Sequence, residues 1–136
     1  MRVVADSHVL VWYLTRPERL TAPAYEALSS AEASGGGLGV AAVTLIDLWH
    51  ATRRASRPVT PAEFRAVRQV LTGAGDAITW LPLTVEVAER YLDVPHPAVK
   101  DPFDRMIVAT AWAAGVPLVT ADGAIRTSGG PVPVIW

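Results

Sequence analysis

Cysteine is absent from the 136 residues of the chain, which excludes disulfides, thiolate metal sites and thiol nucleophiles. The absence is also typical of a cytoplasmic protein. A charge imbalance is lacking too, since 13 acidic and 12 basic residues leave a net charge of −1. No overall field therefore attracts nucleic acid, and any such binding must depend on a local patch. No apolar run approaches the roughly 20 residues of a membrane-spanning helix, so no membrane association is expected.

The length fits one domain with a hydrophobic core and is too short for two domains of ordinary size. Hydrophobic residues make up 51% of the chain and charged residues 18%, a balance that disfavours disorder. The N-terminal "MRVVADSH" does not read as a signal peptide, because Asp6 interrupts the apolar stretch. We therefore expect a single domain over residues 1–136, located in the cytoplasm.

Short apolar segments alternate with segments that carry helix signals. The apolar segments, which favour strands, are residues 2–5, 38–41, 77–81, 117–120 and 133–136. The helical segments are residues 17–33, about 43–55, 60 to about 71, 84–92 and 101–115. Continuous short strands that alternate with helices indicate an α/β fold, in which a mainly parallel sheet is covered on both faces.

Three of the helices have clear start signals. "TPAE" at 60–63 is a capping box with Thr60 as the N-cap, and Thr84 can cap the helix that follows it. Asp101 is expected to cap the helix in "DPFDRMIVATAWAAG", with Pro102 in its first turn and Gly115 just beyond its end.

Four aspartates stand where a carboxylate needs an explanation. Asp6 directly follows the first strand, and Asp122 comes two residues after the fourth, so both belong at the carboxyl edge of the sheet, where ligands bind. Asp104 lies in the first turn of the helix that Asp101 caps, and Asp47 lies between Ile46 and Leu48 in an apolar helix. A purely structural interpretation also exists for each position, because aspartate is a common helix N-cap and is favoured in a first turn.

Several partly buried carboxylates without a matching basic cluster indicate a site for a hard divalent cation. Oxygen ligands suit Mg²⁺ or Mn²⁺. The lack of cysteine and the scattered positions of His8, His50 and His96 argue against zinc.

With these residues in place, the chain resembles the PIN-domain family, and specifically the VapC-type ribonuclease toxins of type II toxin–antitoxin pairs. "VVADSHVLVWYL" is similar to the opening strand of that family with its first acidic residue, Asp6. "VAAVTLIDLWHATRRA" is similar to its second acidic segment, with Asp47 at the acidic position. "DPFDRMIVATAWAAGVPLVTAD" is the most specific match and carries the third and fourth acidic residues, Asp104 and Asp122.

The resemblance implies a three-layer α/β/α sandwich and Mg²⁺- or Mn²⁺-dependent hydrolysis of RNA phosphodiester bonds. It implies catalytic roles for Asp6, Asp47, Asp104 and Asp122, with Asp6, Asp104 and Asp122 as metal ligands. Asp47 and Asp101 are further candidate ligands. The family usually has glutamate at the second position, and aspartate is shorter by one C–C bond, about 1.5 Å. Asp47 would then bind the metal directly, bind it through water, or serve the fold alone. The resemblance also implies an antitoxin partner and a homodimer.

Two further groups of residues bear on this function. Ser7 and Thr120 stand beside candidate ligands, where their hydroxyls would orient a carboxylate or a water, or bond to the local backbone. Five arginines fall within sixteen positions, at 53, 54, 57, 65 and 68. They form a solvated helix face or a phosphate-binding patch, and Arg53, Arg54 and Arg57 are the RNA-binding candidates.

Two other functions are compatible with the sequence. In a receiver-like phosphoacceptor domain, "LGVAAVTLID" would be a strand ending at the acceptor Asp47, and Lys100 would contact the phosphate. That assignment leaves Asp104 and Asp122 without a role. The other alternative is a PIN-fold RNA-binding module whose catalysis is impaired by the shorter Asp47.

Overall fold

Five short apolar segments form one sheet in the computed structural model, which describes residues 1–128 and 130–136. The strands are β1 (Val3–Ala5), β2 (Leu38–Ala41), β3 (Ile78–Leu81), β4 (Leu118–Val119) and β5 (Val134–Ile135). They pair in the order β3-β2-β1-β4-β5, and every pair is parallel. The prediction of a mainly parallel sheet is confirmed, and each strand lies inside the segment predicted for it.

Seven α-helices are described, together with 3₁₀ turns at Pro17–Arg19 and Gly75–Ala77. The helices are α1 (Ser7–Thr15), α2 (Ala22–Ala33), α3 (Val43–Ala51), α4 (Pro61–Gly73), α5 (Val85–Asp93), α6 (Pro102–Ala114) and α7 (Gly123–Ser128). Thr60, Thr84 and Asp101 accept hydrogen bonds from the first turns of α4, α5 and α6, as predicted. Gly115 ends α6 with φ of 68°, a left-handed conformation that glycine adopts without a Cβ clash. Among these helices, none has the length and apolar character to cross a membrane.

Two helices are shorter than the sequence pattern predicted. The helix expected over 17–33 begins only at Ala22, because the side chain of Thr21 accepts the bond from the Ala24 N–H and starts a new helix. The helix expected over about 43–55 ends at Ala51, and turns follow up to Pro58. Arg57, just before that proline, has φ of 42°, outside the helical range.

The sheet separates two hydrophobic cores. Val3 and Ala5 point to the core formed with α1 to α4, whereas Val4 points to the core formed with α5, α6 and α7. This alternation follows from the two-residue period of a strand. Leu10 and Ile107 are fully buried on opposite sides, so the predicted three-layer α/β/α architecture is confirmed.

The order of the strands creates a crevice between β1 and β4. From β1 the chain moves outward through β2 to β3, and it then returns to the other side of β1 to add β4 and β5. Such a reversal leaves a gap at the carboxyl ends of the two central strands, where open α/β sheets bind ligands. Asp6 follows β1 and Asp122 follows β4, so the topology explains why these distant residues meet.

A buried arginine fixes the segment that leads into α6. Arg105 is only 6% exposed, and its guanidinium donates to the carbonyls of Tyr91, Pro95 and Val99 at 2.6, 3.3 and 3.0 Å. It also lies over the ring of Tyr91. Because three backbone acceptors depend on one side chain, Arg105 holds the loop between α5 and α6 and thereby the N-terminus of α6.

Replacing Arg105 by methionine should lower the free energy of unfolding by about 3 kcal/mol or more. The change leaves buried carbonyls without a donor, and a hydrogen bond to a charged group is typically worth about 1.5–3 kcal/mol. Urea denaturation followed by circular dichroism measures the loss. The control is Arg126→Met, at an exposed position on α7, which should change stability by less than about 0.5 kcal/mol. Equal stabilities of the two variants would contradict the anchoring role.

Candidate active site

A cleft of about 340 Å³ opens at the carboxyl edge of the sheet, at the crevice between β1 and β4. Its lining contains five aspartates, two aromatic residues, an arginine and an alanine. They are Asp6, His8, Trp12, Asp47, Arg54, Asp101, Asp104, Ala121 and Asp122. The structure thus brings together all four aspartates that the sequence singled out, and Asp101 with them.

Asp6 is held rigidly at the base of this cleft. It is 4% exposed, its Oδ1 accepts from the Ser7 N–H at 2.8 Å, and its Oδ2 accepts from the Thr120 hydroxyl at 2.6 Å. Burial raises the pKa of Asp6, although both hydrogen bonds act in the opposite direction. Asp6 is therefore both the N-cap of α1 and a carboxylate with a fixed orientation toward the cleft.

Thr120 joins the two central strands at the site. While its hydroxyl donates to Asp6, the same oxygen accepts from the Asp122 N–H at 3.0 Å. Asp122 in turn accepts from the Ile125 N–H at 2.9 Å and so begins α7. Thr120 therefore contacts one candidate ligand through its side chain and positions the backbone of another.

Ser7 does not contact a carboxylate in the way that Thr120 does. Its backbone N–H bonds to Asp6, but its hydroxyl is buried and finds no hydrogen-bond partner among residues 1–128 and 130–136. The hydroxyl of Thr44 on α3 is in the same situation within that part of the chain. The orienting contact expected from the Ser7 side chain is thus made by its main chain.

Asp104 experiences the charge of every other acidic group in the cleft. Asp101 accepts from the N–H groups of Phe103 and Asp104 at 2.8 and 3.1 Å, so it caps α6 and lies directly beside Asp104. Burial, as the largest cause, and then the charges of Asp6, Asp101, Asp122 and Asp47 in that order together raise the pKa of Asp104 to about 8. Carboxylates that repel one another in this way favour a bound cation.

Asp47 has a basic partner that the sequence did not reveal. It is 4% exposed on α3, and its Oδ1 lies 3.5 Å from Nη2 of Arg54, seven residues further along the chain. The expectation of partly buried carboxylates without a matching basic group is therefore wrong for Asp47, because the turn after α3 brings Arg54 to the cleft. The distance exceeds that of a charge-assisted hydrogen bond, so the contact is a loose ion pair.

The five clustered arginines divide between two surfaces. Arg54 lines the acidic cleft, whereas Arg53, Arg57, Arg65 and Arg68 line a separate concave surface of about 590 Å³ between α3 and α4. Trp49 lies within this second surface, with the Arg53 guanidinium 4.3 Å from its ring centre. Four of the cations thus form one patch, which is compatible with phosphate binding and with a solvated face.

Sequence reasoning missed two aromatic residues of the cleft wall. His8 and Trp12 are four residues apart on α1, their ring centres are 6.4 Å apart, and both line the cleft. The i, i+4 spacing directly after Asp6 was the available signal, since it places both side chains on one face of the helix. Their apolar surroundings in the sequence concealed it.

Comparison with known proteins identifies the fold family. The family model for the PIN domain matches residues 3–129. The chain belongs to the PIN-domain family.

The similarity extends along the whole PIN domain. This chain is 32% identical over 136 residues to ribonuclease VapC22 of Mycobacterium tuberculosis (strain ATCC 25618 / H37Rv), and the match covers 98% of both chains. Among solved structures it is similar to VapBC2 from Rickettsia felis bound to a DNA fragment from its promoter, with a TM-score of 0.68, 9% identity and coverage of 98% and 97%. It is also similar to DNA-bound VapBC from Salmonella typhimurium, with a TM-score of 0.65, 13% identity and coverage of 98% and 96%. At these identities the solved structures establish the fold alone.

The chemistry of the donor set in this PIN domain fits a hard divalent cation. All candidate ligands offer oxygen, and a cation would relieve the mutual repulsion that, after burial, raises the pKa of Asp104. Within residues 1–128 and 130–136, however, no three acidic or histidine side chains already converge closely enough to enclose an ion. Each of Asp6, Asp101 and Asp122 points an oxygen to a backbone N–H.

Replacing Asp104 by asparagine should remove a pH-dependent loss of stability in buffer containing EDTA. The carboxyl has a pKa of 3.8 when unperturbed and about 8 in the fold, so below pH 3.8 it is protonated in both states and costs nothing. Between those values the unfolded state releases the proton first, and the free energy of unfolding of the wild type falls as the pH rises. Above pH 8 the loss is complete.

Thermal melts at about pH 5 and about pH 8.5 measure this effect as the difference between wild type and variant. Asp104→Asn should have the higher melting temperature at the alkaline pH, and the gap should shrink at the acidic pH. Asp76→Asn, at an exposed carboxylate outside the cleft, should follow the wild type. A gap that does not change with pH would contradict the raised pKa.

Proposed function

We propose that this PIN domain is a metal-dependent endoribonuclease and the toxin of a type II toxin–antitoxin pair. The observation that carries the proposal is the convergence of Asp6, Asp47, Asp104 and Asp122, each from a different element, on one cleft. The relationship to ribonuclease VapC22 supports the same activity. The reaction is hydrolysis of a phosphodiester bond in RNA.

We assign Asp6, Asp104 and Asp122 as ligands of Mg²⁺ or Mn²⁺, and Asp47 as a fourth catalytic carboxylate. Asp101 already accepts two N–H bonds as the cap of α6, so it supplies charge and positions Asp104 before it supplies a ligand. When bound, the cation neutralises charge on the phosphate and lowers the pKa of a water molecule. RNA is itself anionic, so an uncompensated cleft of carboxylates would repel it.

The residues around the cleft hold its carboxylates in place before substrate binds. The Thr120 hydroxyl and the Ser7 N–H fix both oxygens of Asp6 before substrate arrives, so little reorientation is needed during the reaction. Trp12 and His8 form an aromatic wall that limits access of water on one side. Arg54 places a positive charge at the edge of the cleft, where it can contact a phosphate that flanks the scissile bond.

The partners follow from this role. We propose that the chain acts as a single domain, forms a homodimer and is neutralised by a cognate antitoxin encoded beside it. An RNA substrate and a co-expressed protein inhibitor both require a cytoplasmic location. Co-expression of the neighbouring small gene should relieve growth inhibition, and light scattering after gel filtration tests the dimer.

A second candidate is a PIN-fold RNA-binding module with impaired catalysis. The ion pair between Asp47 and Arg54 favours it, because a carboxylate that is satisfied by arginine is less available to a metal. The receiver-like alternative fails on the structure: residues 43–51 form helix α3, so Asp47 does not end a strand.

Asp6→Asn, Asp104→Asn and Asp122→Asn should each reduce RNA cleavage by at least about 100-fold with the fold intact. Even groups that only orient metal ligands typically contribute about 10–100-fold, and Thr120→Val should fall in that range. Cleavage of a fluorescent RNA in Mg²⁺, with EDTA as the metal-free reference, measures the effect. Asp76→Asn should retain wild-type activity. Full activity in an asparagine variant would remove that residue from the site.

Asp47 separates the nuclease from the impaired module. If Asp47 serves the metal, as we propose, Asp47→Glu should keep or raise activity. Asp47→Ala should lose activity and also part of the stabilisation by Mg²⁺, since a ligand that binds the native state stabilises it by mass action. If Asp47 is only structural, the extra methylene of glutamate should destabilise by about 1–3 kcal/mol. Melting curves with and without Mg²⁺ decide between these outcomes. Arg54→Met is the control that breaks the ion pair and leaves the carboxylate. Equal Mg²⁺ shifts in wild type and Asp47→Ala would exclude ligation.

The arginine patch should contribute to RNA affinity through phosphate contacts. Replacing Arg53 and Arg57 by alanine should weaken RNA binding and flatten its dependence on salt. Fewer counterions are released when fewer phosphates are neutralised, so each lost contact lowers the slope of log K against log salt by about 0.7. Fluorescence anisotropy across a salt series measures this slope. Arg90→Ala changes an arginine that lies over Trp112 on α5 and should leave the slope unchanged. An unchanged slope in the double variant would assign the patch to a solvated face.

A further inference from the structure

A groove beside the acidic cleft connects it with the arginine patch. It measures about 320 Å³ and is lined by six residues: His50, Arg53, Arg54, Asp101, Pro102 and Phe103. Arg54 and Asp101 also line the acidic cleft, and Arg53 also lines the concave surface between α3 and α4. The three depressions therefore adjoin one another along a track, with carboxylates at one end and guanidinium groups at the other.

Two aromatic rings form the floor of this groove. His50, exposed in the last turn of α3, and Phe103, half-buried in the first turn of α6, have ring centres 5.5 Å apart and planes inclined by 39°. Trp49 meets the other side of His50 edge-on, with ring centres 4.9 Å apart. The two helices that carry these rings, α3 and α6, pack against each other.

The position of Phe103 is tied to the acidic cleft. Its backbone N–H donates to Oδ1 of Asp101 at 2.8 Å, and Asp104 is the next residue. The aromatic floor is thus one residue away from a proposed metal ligand. A group bound on these rings would lie adjacent to whatever occupies the cleft.

We propose that His50 and Phe103 form a stacking platform for one unpaired base next to the scissile phosphate. This inference rests on the proposed ribonuclease function. Bases in a duplex are stacked on each other and cannot lie on protein rings, whereas bases of single-stranded RNA stack on aromatic side chains. Arg54 contacts the phosphate on the side of the cleft, and Arg53 receives the chain as it continues toward the arginine patch.

The chemistry of the groove fits RNA better than a protein segment. A base followed by a phosphate needs a ring face followed by a cation, which is the order along this track. An apolar anchor of a protein would be better served by the separate depression of Leu45, Ile46, Trp49, Phe64 and Arg68 on the outer side of α3 and α4. The His50 and Phe103 groove offers no comparable set of aliphatic side chains among the described residues.

A cycle that pairs protein variants with abasic RNA tests the platform. The probe is a fluorescein-labelled, unstructured RNA of about 20 nucleotides, in which the bond cut by the wild type is first mapped. Single abasic nucleotides are then placed on either side of that bond. In wild type one of these positions should lower kcat/KM by about tenfold, because stacking on one aromatic surface is worth about that factor. The double variant His50→Ala and Phe103→Ala should lose the same factor on intact RNA and little more on the abasic RNA.

Two controls keep the result specific. When Phe103→Trp replaces Phe103→Ala in the double variant, most of the lost kcat/KM should return, because tryptophan supplies a stacking surface. Tyr25→Ala removes an exposed ring that packs at a tilt against Tyr13 and lines none of the three depressions, and it should behave as wild type. Annealing the probe to its complement should suppress cleavage.

A second series of probes carries one abasic nucleotide at each position in turn, and its binding is measured by anisotropy in EDTA, so the platform is tested even if the wild type cleaves nothing. Absence of cleavage with preserved non-additivity in binding would refute the nuclease proposal and support the platform. Equal sensitivity of wild type and double variant to every abasic position would overturn the platform, with cleavage intact or not. Loss of antitoxin binding in the double variant with unchanged RNA binding would assign the groove to the protein partner and overturn it as well.

Discussion

The hydrogen bond between Thr120 and Asp6 is the contact on which the site depends. It joins the ends of the two central strands at the point where the strand order reverses, and it is fully enclosed by the protein. A carboxylate at this depth loses solvation, and only directed donors make its burial tolerable. The fold therefore has to deliver a hydroxyl to Asp6, and in doing so it also fixes the backbone of Asp122.

The electrostatics of the cleft follow from this arrangement. Five carboxylates face a common space with Arg54 at its edge, and the pKa of Asp104 is raised first by burial and then by its negative neighbours. Such a cluster of carboxylates lowers the free energy of unfolding when no ligand is bound, and a bound cation raises it again. Arg54 already supplies part of that compensation to Asp47, which makes the second acidic position the one most open to a changed role.

Sequence patterns predicted the strands, the helix caps and the meeting of Asp6 with Asp122, because each depends on local propensity or on the general behaviour of parallel sheets. They did not predict the pairing of Asp47 with Arg54, since that depends on the turns that follow Ala51. They also overlooked Trp12 and His8, whose apolar surroundings resemble a core helix. The division of the arginines between two surfaces was likewise invisible, because spacing along a chain does not specify which side of a turn a residue occupies.

The two walls of the cleft come from opposite layers of the sandwich. Asp6 and Asp47 are carried by elements of the layer that packs on Val3 and Ala5, whereas Asp104 and Asp122 belong to the layer that packs on Val4. The separation of the carboxylates is thus a measure of how thickly the two cores are filled on either side of the sheet. Removal of a methylene near Leu10 or Ile107 would let one layer shift toward the sheet. The distances between the carboxylates of the cleft would then change. Substitutions in either hydrophobic core can therefore alter the activity of the site without touching any of its residues.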